Sequence, residues 1–110
     1  MNTIPMPDIP LTEAAAKFAA LGSEQRLSVL RALVCAGPDG LTIGALGDRV
    51  GVTGSTLTHH LRILSAAGLI RQTRSGRSVI CAGADYDEVR ALSDFLMRNC
   101  CASPEGPENG

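Results

Sequence analysis

Residues 51–77, GVTGSTLTHHLRILSAAGLIRQTRSGR, decide the reading of this chain. Leu57, Leu61 and Leu64 recur at i, i+4 and i+7, the stripe of a helix pinned to a core. Thr53 or Ser55 is placed to cap that helix, and Val52-Thr53-Gly54 before it is a turn of the length that joins the two helices of a helix-turn-helix. Ala66-Ala67-Gly68 stops it. Two strand-like runs, 69–73 and 77–81, then flank Arg74-Ser75-Gly76, where Ser75-Gly76 suits a tight turn and Gly76 can take positive φ. A helix running straight into a basic hairpin is the pattern of a winged helix-turn-helix, whose helix enters a major groove while the hairpin grips flanking phosphates.

On a wheel that buries the three leucines, the outward positions are Ser55, Thr58, His59 and Arg62, with Thr56 at the N-terminal edge. Hydroxyls meet phosphates or base edges, an imidazole donates or accepts, and a guanidinium bonds a phosphate or a guanine edge. With Thr53 before the helix and Arg74 and Arg77 in the hairpin, these form the candidate DNA-binding set. The competing reading is an ordinary solvated helix face, and the turn before and hairpin after weigh against it. His59-His60 also invites a metal reading, but neighbouring helical residues point about 100° apart and do not chelate one ion. His60, between Leu57 and Leu61 on the wheel edge, is expected to be a half-buried packing residue, and His59 to face DNA.

Working outward, residues 1–10 carry three prolines and read as a loose arm. Thr12-Glu13 opens a first helix over 11–21, anchored by Phe18 and Leu21. Ser23 caps a second, whose Leu27, Leu30, Leu33 and Val34 form the expected buried stripe until Gly37-Pro38-Asp39-Gly40. Leu41, Ile43, Leu46 and Val50 fit a short third helix with Asp48 and Arg49 facing water. Asp85 and Glu88, at capping-box spacing, open a last helix striped by Val89, Leu92 and Leu96. Residues 102–110 are too polar and Pro/Gly-rich to pack. The expected architecture is mainly α with a small β-hairpin, α-α-α-α-β-β-α, as one domain over 11–101.

The 110 residues have a formal charge of −1, which looks wrong for a nucleic-acid binder. The average hides a split: residues 41–80 carry a net +4 and residues 81–110 a net −4. A phosphate-binding field is thus confined to one part of the chain. A lone core of this size leaves modest stability, so a partner subunit covering apolar surface is expected. No run of about 18 apolar residues exists, and Met1 to Pro10 has neither a basic nor an apolar leader region, so a cytoplasmic protein is expected. Its four cysteines, Cys35, Cys81, Cys100 and Cys101, are then expected to be thiols. An enzyme is not indicated: no Gly-rich phosphate loop, HExxH or Ser/His/Asp arrangement is present, and no obligatory cofactor is expected. A winged helix that binds protein instead of DNA is the remaining competitor, distinguished by DNA affinity that is absent or insensitive to salt.

SEQRLSVLRAL, GVTGSTLTHHLRIL, SAAGLI and RSGRS together resemble the ArsR/SmtB family of winged-helix repressors, over roughly residues 10–101. The resemblance implies a homodimer on a palindromic operator, joined mostly through the first and last helices, here 11–21 and 85–101, and released by an inducer. The ending FLMRNCCAS is similar to arsenic-responsive members with a vicinal cysteine pair followed by a third cysteine in the tail; here residues 102–110 have none. Cys100 and Cys101 are soft ligands suited to a trivalent arsenical. Two thiolates suffice for a methylated arsenical, whereas arsenite needs a third from Cys35, Cys81 or an external thiol. The bland reading is two small apolar residues at a helix end. The family's CxC-type site has no counterpart in LTIGALG, and its zinc-type site in the last helix needs histidines, none of which lies beyond His60. A persulfide or redox sensor pairing Cys35 with Cys100 or Cys101 stays open as the alternative. Cys81 is expected to pack.

Overall fold

The computed structural model describes residues 9–84 and 86–101, with side chains described for 9–84 and 87–97. The expected arm at 1–10 and tail at 102–110 therefore lie almost wholly outside the described residues, as does Asp85 of the expected capping box. In chain order the elements are α1 (Leu11–Ala20), α2 (Glu24–Ala36), β1 (Leu41–Thr42), α3 (Ile43–Val50), α4 (Gly54–Ala66), β2 (Ile70–Ser75), β3 (Ser78–Gly83) and α5 (Tyr86–Cys101).

The expected order holds with one addition, β1. Spacing places Leu41 in the third helix, but it pairs antiparallel with Cys81, and Thr42 with Ile80, giving a three-stranded sheet of order β1-β3-β2. Two residues are too few to show a strand period; the pairing is set by the open edge of β3 some forty residues on. The helix then starts at Ile43, because the Thr42 hydroxyl accepts from the Ala45 amide at 3.1 Å. Ser23 caps α2 as expected, its hydroxyl accepting from the Arg26 amide at 3.3 Å.

Leu33, Leu46, Leu57, Leu61, Leu64, Leu69, Val29 and Cys81 form the sealed centre, joining α2, α3, α4 and the sheet. The stripe expected on α2 needs correction. Leu30 and Leu33 are buried, but Leu27 is 51% and Val34 36% exposed, and Val29 fills the core position instead. The reason is geometric: Val29, Leu30 and Leu33 share one side of the helix, while Leu27, Arg31 and Val34 share another, so α2 carries two apolar faces and periodicity does not say which is inside. Phe18, expected as an anchor, is likewise 37% exposed.

The second face of α2 does not stand alone. Phe18 of α1, Leu27 and Val34 of α2, and Leu92 and Leu96 of α5 line an apolar groove of about 670 Å³, with Cys35 also on its lining. Of these, α1 and α5 are clasped by a buried cation: Lys17 Nζ bonds Glu13 Oε2 at 2.6 Å and lies 3.9 Å from Glu88 Oε1 at the start of α5. Glu88, read from sequence as half of a capping box, thus serves a contact between helices.

Candidate nucleic-acid interface

α3, the turn at 51–53 and α4 form the helix-turn-helix. Its tightness comes from Gly47, which is buried on α3. A Cβ there would lie 2.9 Å from the Val52 carbonyl oxygen and 3.3 Å from Leu57 Cδ2, so the two helices meet at a separation only glycine permits. The sequence reading overlooked this contact; the signal was a small residue in the short helix, directly across from the turn.

α4 buries Leu57, His60, Leu61 and Leu64. Every residue of the candidate DNA-binding set is exposed: Thr53, Ser55, Thr56, Thr58, His59 and Arg62 around the helix, Arg74 and Arg77 in the hairpin. Thr53 takes the cap position with extended backbone, and Ser55 falls inside the helix. The Thr53 hydroxyl makes no cap hydrogen bond, which leaves both it and the first amides of α4 open to a phosphate oxygen. Thr58 differs, since its hydroxyl donates to the Gly54 carbonyl at 3.3 Å and so presents chiefly its methyl and lone pairs outward.

The hairpin is shifted by one residue from expectation. Ser75 pairs with Ser78, so the two-residue turn is Gly76-Arg77 and not Ser75-Gly76. Gly76 has φ of 63° while no residue other than glycine has positive φ among those described, which is the II′ pattern with glycine first. Arg77 therefore sits on the tip and Arg74 in β2 opposite Val79. Both are exposed, and the expectation to be tested is that they meet the sugar-phosphate backbone. Replacing both with alanine is expected to weaken binding to all duplex sequences and to lower the slope of log affinity against log salt by about two per protomer. A salt titration followed by anisotropy measures it; an unchanged slope would remove the wing from the interface.

His60 packs inward, further than the half-burial expected, at 7% exposure. Its Nε2 lies 2.8 Å from Gln25 Oε1 and its Nδ1 3.5 Å from Arg26 Nη1. Burial, then the Arg26 charge, then His59 hold its pKa below the ordinary 6.5. Sequence spacing could not reveal this junction, because its partners stand 34 and 35 residues away.

Among the described residues no group of three or more His, Cys, Asp or Glu is placed to hold a metal ion. Cys81 is sealed at 0% exposure in β3, where burial pushes its thiol up against the lesser effect of the Gln72 amide 3.8 Å away. Cys35 is exposed near the end of α2. Cys100 and Cys101 stand in the last turn of α5, and their side chains lie outside those described. No described helix is long and apolar enough to cross a membrane.

A helix-turn-helix domain family matches residues 21–73. The HTH-type transcriptional regulator NmtR of Mycobacterium tuberculosis is 37% identical over 98 residues, covering 84% of this chain and 79% of that protein. Among solved structures, HlyU from Vibrio cholerae is 28% identical with a TM-score of 0.64, covering 82% of this chain and 94% of its own. An ArsR-like transcriptional regulator from a Rhodococcus species is 26% identical with a TM-score of 0.64, covering 77% of each chain. The homodimeric winged helix-turn-helix DNA-binding domain of a possible ArsR-family regulator from Mycobacterium bovis shares the fold at 23% identity and a TM-score of 0.66, covering 78% of this chain and 77% of its own.

Proposed function

This chain belongs to the ArsR family of winged helix-turn-helix transcriptional regulators, and from that membership we propose that it acts as a homodimeric repressor, released from a palindromic operator when a trivalent arsenical takes Cys100 and Cys101. The observation that carries the reading is the apolar groove. Phe18, Leu27, Val34 and Leu96 are exposed large side chains on α1, α2 and α5, a face that a second copy would cover. The Mycobacterium bovis domain, with the same fold, is a homodimer. Leu96 lines that groove one helical turn before Cys100, so an inducer held by the cysteine pair at the end of α5 would act beside the surface on which the spacing of two recognition helices would depend.

The chemistry is ligand exchange without redox. Two thiols displace two hydroxides from a monomethyl arsenic(III) centre, two As–S bonds form and two waters leave. The methyl group occupies the third valence, which suits a tail lacking a further cysteine. For arsenite a third thiol is required, from Cys35, Cys81 or an external thiol; the exposure of Cys35 and its place on the groove that Leu96 also lines support it over Cys81, which is sealed in the core with its thiolate disfavoured. That same placement of Cys35 supports the second reading, a persulfide-driven link between Cys35 and Cys100 or Cys101.

A side-by-side titration of the operator complex with methylarsenite, arsenite, antimonite, zinc and polysulfide separates these. Methylarsenite is expected to weaken operator affinity about 5- to 150-fold, and Cys100→Ser or Cys101→Ser to abolish the response. Release by both arsenicals that survives in both variants ends the arsenical reading. Release by polysulfide alone, lost in Cys35→Ser, establishes the redox one.

A further inference from the structure

Arg26 joins three helices. Its Nε donates to the Ala20 carbonyl at the end of α1 at 2.6 Å, while Nη1 reaches His60 Nδ1 at 3.5 Å on α4. His60 Nε2 closes the junction on Gln25 Oε1 at 2.8 Å. One protonation state satisfies every contact: a neutral imidazole with its proton on Nε2, donating to Gln25 and accepting at Nδ1 from the guanidinium. A second proton, on Nδ1, would convert the acceptor into a donor facing a donor and set two cations against each other at a part-buried junction.

Among the described residues no carboxylate bonds His60 to relieve that second charge. From α2 the facing groups are the Arg26 cation and the neutral Gln25 amide, while Glu24 lines the groove instead. From α4 itself the neighbour is His59, its ring centroid 5.9 Å away. Through Arg26, α1 contributes the neutral Ala20 carbonyl; its own ionic side chains, Lys17 and Glu13, bond each other. The ionic side chains of β2, also packed on α4, are the arginines at 71 and 74. On α3 the two charges, Asp48 and Arg49, are exposed.

We propose that this junction positions the recognition helix on α2 only while His60 is neutral, so that operator binding weakens as His60 takes a proton. It rests on the DNA-binding reading and is independent of the inducer. Its sign sets it apart from ordinary electrostatics, in which acidification adds positive charge and tightens binding to phosphates. Folding stability follows the same direction as the junction: with the folded pKa lowered, the neutral contacts contribute fully above the unfolded value and are lost as pH falls below it.

The test uses the full chain and a duplex that the protein itself selects from random sequence, with anisotropy read at constant ionic strength in steps from about pH 7.5 down to the lowest pH at which the protein stays folded. Circular dichroism at each pH restricts the comparison to folded protein. Wild-type affinity is expected to fall progressively along this series. His60→Gln keeps an N–H donor without a titratable charge and should remove the fall. Arg26→Gln supplies an independent check, because its amide oxygen can accept from a protonated Nδ1 and should shrink the fall. Wild-type binding that tightens or stays constant, or an acid loss undiminished in both variants, overturns the proposal. Absence of binding to any duplex near pH 7.5 overturns the DNA-binding reading with it, whereas binding near pH 7.5 without the acid loss leaves that reading intact.

Discussion

Leu96→Glu is expected to yield a folded monomer whose operator affinity is at least about 100-fold below that of the parent. Leu96 is 62% exposed in the single chain, so a carboxylate there leaves the protomer core intact. In a homodimer built on the groove of α1, α2 and α5 it would instead bury a charge against the partner's apolar side chains, a penalty of several kcal/mol without a paired cation. A repressor reading two half-sites gains most of its affinity from tethering the second recognition helix to the first, and a monomer loses that effective concentration. Sedimentation gives the mass and anisotropy the affinity. A variant that stays dimeric at micromolar concentration, or a monomer that keeps full affinity, would place the interface elsewhere.

Leu33→Ala and Leu27→Ala form the second test, because sequence spacing puts the two leucines in one stripe and the fold separates them. Leu33 is fully buried between α2, α3 and the sheet, and its truncation is expected to cost about 3 kcal/mol and to lower Tm by roughly 15 °C. Total stability of small domains is only about 5–15 kcal/mol, so this is a large share. Leu27, 51% exposed, should leave Tm nearly unchanged in dilute protein and lower it as concentration rises relative to wild type, since its apolar surface counts only when a partner covers it. Scanning calorimetry over a range of concentrations checks both; equal losses independent of concentration would contradict the two-faced description of α2.

The recognition helix was legible because its signals are local. Leu57, Leu61 and Leu64 set its buried side, the three leucines fix which residues point away, and all eight candidate DNA-binding residues are exposed where the wheel and hairpin place them. The wing slipped by one residue because Ser75-Gly76 and Gly76-Arg77 are both acceptable turns, and the register is settled only by pairing along Ile70–Ser75 and Ser78–Gly83. β1 was hidden because its partners, Ile80 and Cys81, are remote in sequence.

The sequence by itself determined a winged helix-turn-helix with an exposed polar recognition surface and a basic wing, since helix period, turn chemistry and charge are properties of neighbouring residues. Tertiary structure decided what depends on remote ones. It chose which of two apolar faces of α2 is core and left the other open beside Cys35; it sealed Cys81 under the sheet; and it turned His60 from a packing residue into the neutral link between Gln25 and Arg26. Each of these depends on which surfaces meet in three dimensions, and burial, desolvation and hydrogen-bond partners exist only once they do.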